Sequence, residues 1–156
     1  MRIEDKFLDK LTFHRIKNTI FNYEDTPWRC IKDISGLGKE KDCYYTHSLF
    51  ETYMDKDLKL HPYPEPCSPH SWIADILKEA IGAEHLIRVK VNLYPRTDIL
   101  VSHTPHTDYT FDHKGALFSL NTCDGHTNVD GTKVDSVKNR MLFFNPQVTH
   151  NSTNCT

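Results

Sequence analysis

The sequence predicts an α+β fold, mainly β, in which two helices precede an antiparallel sandwich or barrel. Three observations carry this. Phe13, Ile16 and Ile20 recur at helical spacing, and a second apolar stripe runs between the punctuation marks Ser68-Pro69 and Gly82. After Gly82 the apolar period changes from 3.6 to 2.

The first helix is expected over Thr12 to Asn22, with Thr12 as its N-cap. Between Glu24 and Pro66 the pattern is weak. Pro27-Trp28, Gly36-Leu37-Gly38 and the alternating Pro62, Pro64 and Pro66 read as loops, and Tyr44 to His47, continuing into Leu49 and Phe50, as a short strand. The second helix has Ser68 as N-cap, Pro69 at the first helical position and Gly82 at its end. Its stripe is Trp72, Ile73, Ile76, Leu77 and Ala80. Ile87, Val89, Val91 and Leu93 then alternate with Arg88, Lys90, Asn92 and Tyr94, which is a strand. Ala116 to Thr122 and Met141 to Asn145 are two more. Asp124-Gly125 and Asp130-Gly131 are turn signals, the second between short β-like runs.

The chain has 156 residues, enough for one domain with a core of its own, organised as a helical lead-in over 1–86 and a β core over 87–156. Apolar residues are 38% of the total, so the core is modest and loops are extensive. Nineteen basic residues face twenty-one acidic ones, a balance that disfavours capture of long duplex nucleic acid. No apolar run approaches the ~20 residues of a membrane span. The charged start, Met1 to Lys6, does not resemble a secretory signal. The five cysteines, Cys30, Cys43, Cys67, Cys123 and Cys155, are odd in number and none are spaced as a zinc knuckle, which fits a reducing cytoplasm. Sequons at Asn151 and Asn154 are then chance matches.

Ten histidines are an unusual load for this length. His14, His61, His70 and His85 read as ordinary surface residues, and His113 and His126 sit beside turns. His47 is open between packing and a site role. His106-Thr107-Asp108 stands apart, because residues i and i+2 of an extended segment share a face, so an imidazole and a carboxylate converge. His150, after the Met141 to Phe144 strand and the Asn145-Pro146 turn, is the best third ligand. Two histidines and a carboxylate form the facial triad of non-haem Fe(II) oxygenases. Three ligands and an open position also suit a zinc hydrolase. A cupin-like binding module without catalysis is a further alternative.

Several runs in order resemble the 2-oxoglutarate- and Fe(II)-dependent oxygenase superfamily, in particular its small prolyl-hydroxylase-like members of phages and marine bacteria. They are Val91 to Pro95, His106-Thr107-Asp108, Leu117 to Asn121, Asp124-Gly125-His126-Thr127, Asn139 to Pro146, and His150 to Thr153. The resemblance covers Ile87 to the C-terminus. It implies a double-stranded β-helix, or jelly-roll, with His106, Asp108 and His150 as iron ligands. It implies hydroxylation of a substrate with consumption of O2 and 2-oxoglutarate and release of succinate and CO2. Tyr94, Leu117, Ser119, Asn121 and Ser152 would line the 2-oxoglutarate site, and the loop Thr97 to Thr104, with Arg96 and His103, would border its mouth. The substrate class suggested is a peptide or protein side chain, with a nucleobase or small molecule as alternatives. Localisation would be cytoplasmic, in the host if phage-encoded.

One feature departs from the pattern. Such enzymes usually place an arginine or lysine about ten residues after the distal histidine to bind the far carboxylate of 2-oxoglutarate, because a buried unpaired carboxylate is costly. This sequence ends six residues after His150, and its last basic residues are Lys138 and Arg140. Either the family's final strand is missing here or another cation substitutes, with Arg88 and Lys90, in phase with Tyr94, as candidates.

Overall fold

In the computed structural model, residues 1–22, 26–32, 44–54, 59–62 and 68–156 are described. The expectations for Gly36 to Gly38, Pro64, Pro66, Cys43 and Cys67 lie outside them. The fold is α+β and mainly β. Its elements run β1 (Arg2–Asp5), α1 (Lys10–Phe21), β2 (Arg29–Ile31), β3 (Tyr44–Met54), β4 (Leu60–Pro62), α2 (Trp72–Ile81), β5 (Arg88–Leu93), β6 (Gly115–Ser119), β7 (His126–Val129), β8 (Thr132–Asp135), β9 (Arg140–Phe144) and β10 (His150–Ser152). Residues 1–86 are therefore not a helical lead-in. Four of the strands lie there.

Two units divide the described residues. One takes Met1–His14, Ile31–Tyr44 and Tyr94–Thr156, the other Arg15–Cys30 and Tyr45–Leu93. In the first, two three-stranded sheets are ordered β1-β9-β6 and β10-β7-β8. Every pairing in them is antiparallel. Val129 and Val134 of one sheet and Leu142 of the other form a buried cluster, with Leu117, Phe144 and Val148 packed on it. The far face of β6 and β9 is covered too. Phe7 stacks edge-on against Phe118 and Phe143, and Phe13 against Phe118. A sheet covered on both faces has no polar side, so β9 reads Met-Leu-Phe-Phe without alternation.

β1 has one apolar residue and no strand pattern. Its pairing with β9, from Arg2↔Phe143 to Asp5↔Arg140, makes it a strand. Arg140 forks onto both oxygens of Asp5, at 2.6 and 2.9 Å. Just beyond, the Asn139 amide exchanges two hydrogen bonds with the backbone of Leu8. α1 then begins at Lys10 rather than Thr12. Asp9 is the cap, its Oδ1 accepting from the amides of Leu11 and Thr12, so the carboxylate satisfies two donors that a helix start leaves open. The expected Phe13, Ile16 and Ile20 are all buried.

β7 and β8 join through Asp130 and Gly131, both at positive φ (49° and 77°), the two-residue turn that matches strand twist. β6 ends at Ser119 instead of Thr122, and Asn145 falls in the turn after β9. There Val148 N–H closes onto the Asn145 carbonyl at 3.2 Å, with Pro146 buried in the turn.

In the second unit, β3 pairs with β4 and β5, and β2 joins the same sheet. Lys90 and Asn92 are exposed on β5, and Val91 and Leu93 half-buried, the expected alternation. α2 starts at Trp72, three residues past Pro69. Residues 68–74 are bonded at i→i+3 spacing (Ser71 N–H to Ser68 O, Ala74 N–H to Ser71 O), a tighter turn that delays the α-helix. Gly82 closes it in the left-handed conformation, its N–H on Glu79 O and that of Ala83 on Lys78 O. Ile73 and Ala74 are its buried residues, while Ala80 is exposed. His47 is a packing residue. It is buried, with Nδ1 by Pro27 O at 3.1 Å and Nε2 by Ser68 Oγ at 2.6 Å, and burial lowers its pKa.

Two predictions follow from these local structures. At Gly131 an added methyl would meet no atom, so Gly131→Ala should cost about 1 kcal/mol from backbone strain alone. At Gly125 a Cβ would sit 2.7 Å from the Asn154 carbonyl oxygen, so Gly125→Ala should cost more, about 2 kcal/mol. Urea unfolding of both variants checks the order. A second concerns pH. The Arg140 guanidinium holds Asp5 below its ordinary value of 3.8, so the carboxylate stabilises the fold above that value and stops doing so as pH falls through the lowered one. Wild type should melt above Asp5→Asn at pH 7, and the two melting curves should converge in acid.

Candidate metal centre

A single backbone pair builds the centre. His106 and His150 face each other in an antiparallel bridge and exchange both N–H···O bonds, each 2.9 Å. Directly opposed residues project to one face, and the two imidazole rings lie 4.7 Å apart between centroids. Asp108 is two residues beyond His106, on the same face, and its N–H is fixed by the Pro146 carbonyl at 3.0 Å. Its Oδ2 stands 3.8 Å from His150 Nε2. One ligand atom from each of the three side chains lies within 4.8 Å of the others. His150 is buried, His106 half-buried and Asp108 exposed, which leaves the group open on the aspartate side.

The tautomers suit metal binding. His106 Nδ1 lies 3.1 Å from the Thr104 carbonyl, and His150 Nδ1 lies 2.9 Å from that of Val148. A carbonyl only accepts, so each Nδ1 carries its proton and each Nε2 presents a lone pair. Metal-binding histidines are oriented in this way. Phe144, part of the core cluster, packs edge-on against His150 at 5.1 Å and fixes its ring from behind.

β10 is bonded on both sides. β7 pairs with it from His150↔Val129 to Ser152↔Thr127. The segment from Val101 to His106 takes the other edge, through the bridges Ser102↔Thr153 and His106↔His150. Four steps on one strand oppose three on the other, so one extra residue is inserted, a bulge. Thr104-Pro105 occupies it, where a proline lacking an N–H is tolerated. The C-terminal segment is clamped further. Asn151 donates to Ser102 Oγ at 2.8 Å, Asn154 accepts from Val101 N–H at 2.7 Å and also donates to Thr97 Oγ1. Both asparagines are buried with their amides engaged, so neither sequon presents an acceptor at the surface.

Tyr94 and Ser152 are brought together, hydroxyl to hydroxyl, at 3.1 Å. Leu117 faces the core cluster. Ser119 is half-buried at the end of β6, opposite Arg140, and its carbonyl accepts from Asn139 N–H. Asn121 lies past the strand in an exposed bend and so does not share the face of Leu117 and Ser119 as expected. Lys90 does not turn inward but is exposed. Arg140 is committed to Asp5.

The sequence places His103 in the loop Thr97 to Thr104. It is buried, its Nδ1 3.0 Å from Ser152 Oγ and its ring stacked on Tyr94 at 4.9 Å. Apolar periodicity gives no sign of this, because the bulge breaks the phase between residues 103 and 106. A cluster of Tyr109, Phe111 and His113 rings, 5.0 to 5.4 Å apart, directly follows Asp108. No family model, curated protein or solved structure matches the chain.

Proposed function

We propose that the chain is an Fe(II)- and 2-oxoglutarate-dependent dioxygenase that hydroxylates a substrate, a peptide or protein side chain being the favoured class. The observation that carries this is the donor set itself. Two imidazole Nε2 atoms and one carboxylate converge on one face, with both Nδ1 positions locked by backbone carbonyls. Two nitrogens and one oxygen on a single face leave the opposite positions for a chelating co-substrate and oxygen. The resemblance of the ordered motifs around this triad to the oxygenase superfamily supports the same reading. So does the topology. From β6 the chain crosses to the second antiparallel sheet, forms the β7–β8 hairpin there, returns as β9 and crosses again as β10, all over one core, a path compatible with a double-stranded β-helix.

When bound, the metal and 2-oxoglutarate would supply the oxidising chemistry, coupled to release of succinate and CO2. The chain's own residues supply geometry. The His106–His150 backbone pair fixes the spacing of two ligands, and Asp108 adds charge that partly neutralises a divalent cation. Phe144 and the core keep the inner side dry, which strengthens each electrostatic contact. The exposed edge at Asp108, with the rings of Tyr109 and Phe111 beside it, is where substrate would approach.

Asp108→Ala tests the assignment. It removes the carboxylate of the triad while leaving the His106–His150 backbone pair intact. Fe(II) affinity should fall by on the order of 100-fold or more, and succinate formation in the presence of Fe(II), 2-oxoglutarate and O2 should be lost. Unchanged succinate production in this variant would remove Asp108 from the site.

A further inference from the structure

The far end of a dicarboxylate co-substrate needs a partner, and the basic residues considered from sequence do not offer a clear one. Arg140 is held by Asp5, Lys138 and Lys90 are exposed, Arg88 lies in the other unit opposite Glu51 of β3, and Arg96 is exposed beside the Cys155 backbone. The backbone next to the triad points elsewhere. In an unbroken strand His103 and His106 would face opposite sides, since they are three positions apart. The extra residue between Ser102 and His106 shifts that phase by one and turns His103 to the face of His106. Across the ladder, His150 and Ser152 also share that face, two residues or about 7 Å apart. His103 N–H bonds to the Ser152 carbonyl at 2.9 Å. The imidazole Nδ1 and the Tyr94 hydroxyl both bond Ser152 Oγ, at 3.0 and 3.1 Å. His103 is 6% exposed, and Tyr94 is stacked between it and Tyr44, at 4.9 and 5.4 Å.

We propose that His103, acting with the hydroxyls of Ser152 and Tyr94, receives the far carboxylate of a five-carbon 2-oxo dicarboxylate whose 2-oxo acid end lies at the triad. This rests on the reading of the triad given above. A five-carbon chain has the length to reach from His150 to Ser152. The two hydroxyls both donate and accept, so they can turn toward an arriving anion, and the imidazole backs them as a buried donor. His103 thereby takes the part an arginine or lysine plays in the proteins the sequence resembles.

The experiment compares two ligands by anaerobic calorimetry with Fe(II) present. 2-Oxoglutarate and 2-oxopentanoate share the metal-binding end and the chain length, but only the first has a far carboxylate. Wild type should prefer 2-oxoglutarate. His103→Ala should weaken 2-oxoglutarate binding about 10- to 100-fold, the worth of one hydrogen bond to a charged group, and leave 2-oxopentanoate unchanged. His103→Gln, which keeps a donor and guards against a variant that fails to fold, should fall between. A preference that survives in both variants overturns the role of His103, as does equal weakening of both ligands or a loss that appears in Arg96→Ala instead. Wild-type protein that binds Fe(II) but neither ligand overturns the co-substrate reading as well.

Discussion

The hydrogen-bonded pair between His106 and His150 is the constraint on which the site depends. These residues lie 44 positions apart in sequence, and side-chain chemistry alone would not hold them in register. Two backbone bonds do so, and they place two imidazoles on one face with little freedom left. Asp108 follows two residues along, so strand geometry brings its carboxylate to the same face. The locked Nδ1 positions then fix which nitrogen each ring presents. A loosely held triad would need a ligand to order it. This one is ordered by the chain.

That pair requires the C-terminal segment to stay in place, and much of the first unit serves this. β7 pairs with one edge of β10 and residues 101–106 with the other. Asn151 and Asn154 anchor the segment to Ser102 and Val101, and Thr156 is held to the Asp124 carboxylate. Gly125 passes so close to the Asn154 carbonyl that only glycine fits. The core cluster of Val129, Val134 and Leu142 lies between the two sheets, and Phe144 carries that packing to the ring of His150. Stability and site geometry are thus set by the same contacts.

The elements legible in the sequence were those with a strong period or a specific stop signal. Phe13, Ile16 and Ile20 marked α1, Gly82 marked the end of α2, and the alternation from Ile87 to Leu93 marked β5. Asp130-Gly131 marked the β7–β8 turn. The convergence of His106, Asp108 and His150 was legible because His-x-Asp needs only strand geometry to share a face, and His150 followed a recognisable strand and turn. Other features depend on partners distant in sequence. β1 is mostly charged and becomes a strand through β9, Arg140 and Asn139. Asp9 displaces Thr12 as a cap because its carboxylate reaches two amides. Asn121 leaves the expected face because β6 ends at Ser119. His103 was hidden by the bulge, which no periodicity reports.

The central claim is that three side chains, brought together by one backbone pair, hold Fe(II) with 2-oxoglutarate beside it. The most direct measurement is an anaerobic titration of Fe(II) into the protein with 2-oxoglutarate present, following the visible metal-to-ligand charge-transfer absorption. The expected result is a band that needs both components and disappears in His106→Ala. Tight Fe(II) binding with no band, or a band of equal strength in His106→Ala, would contradict it.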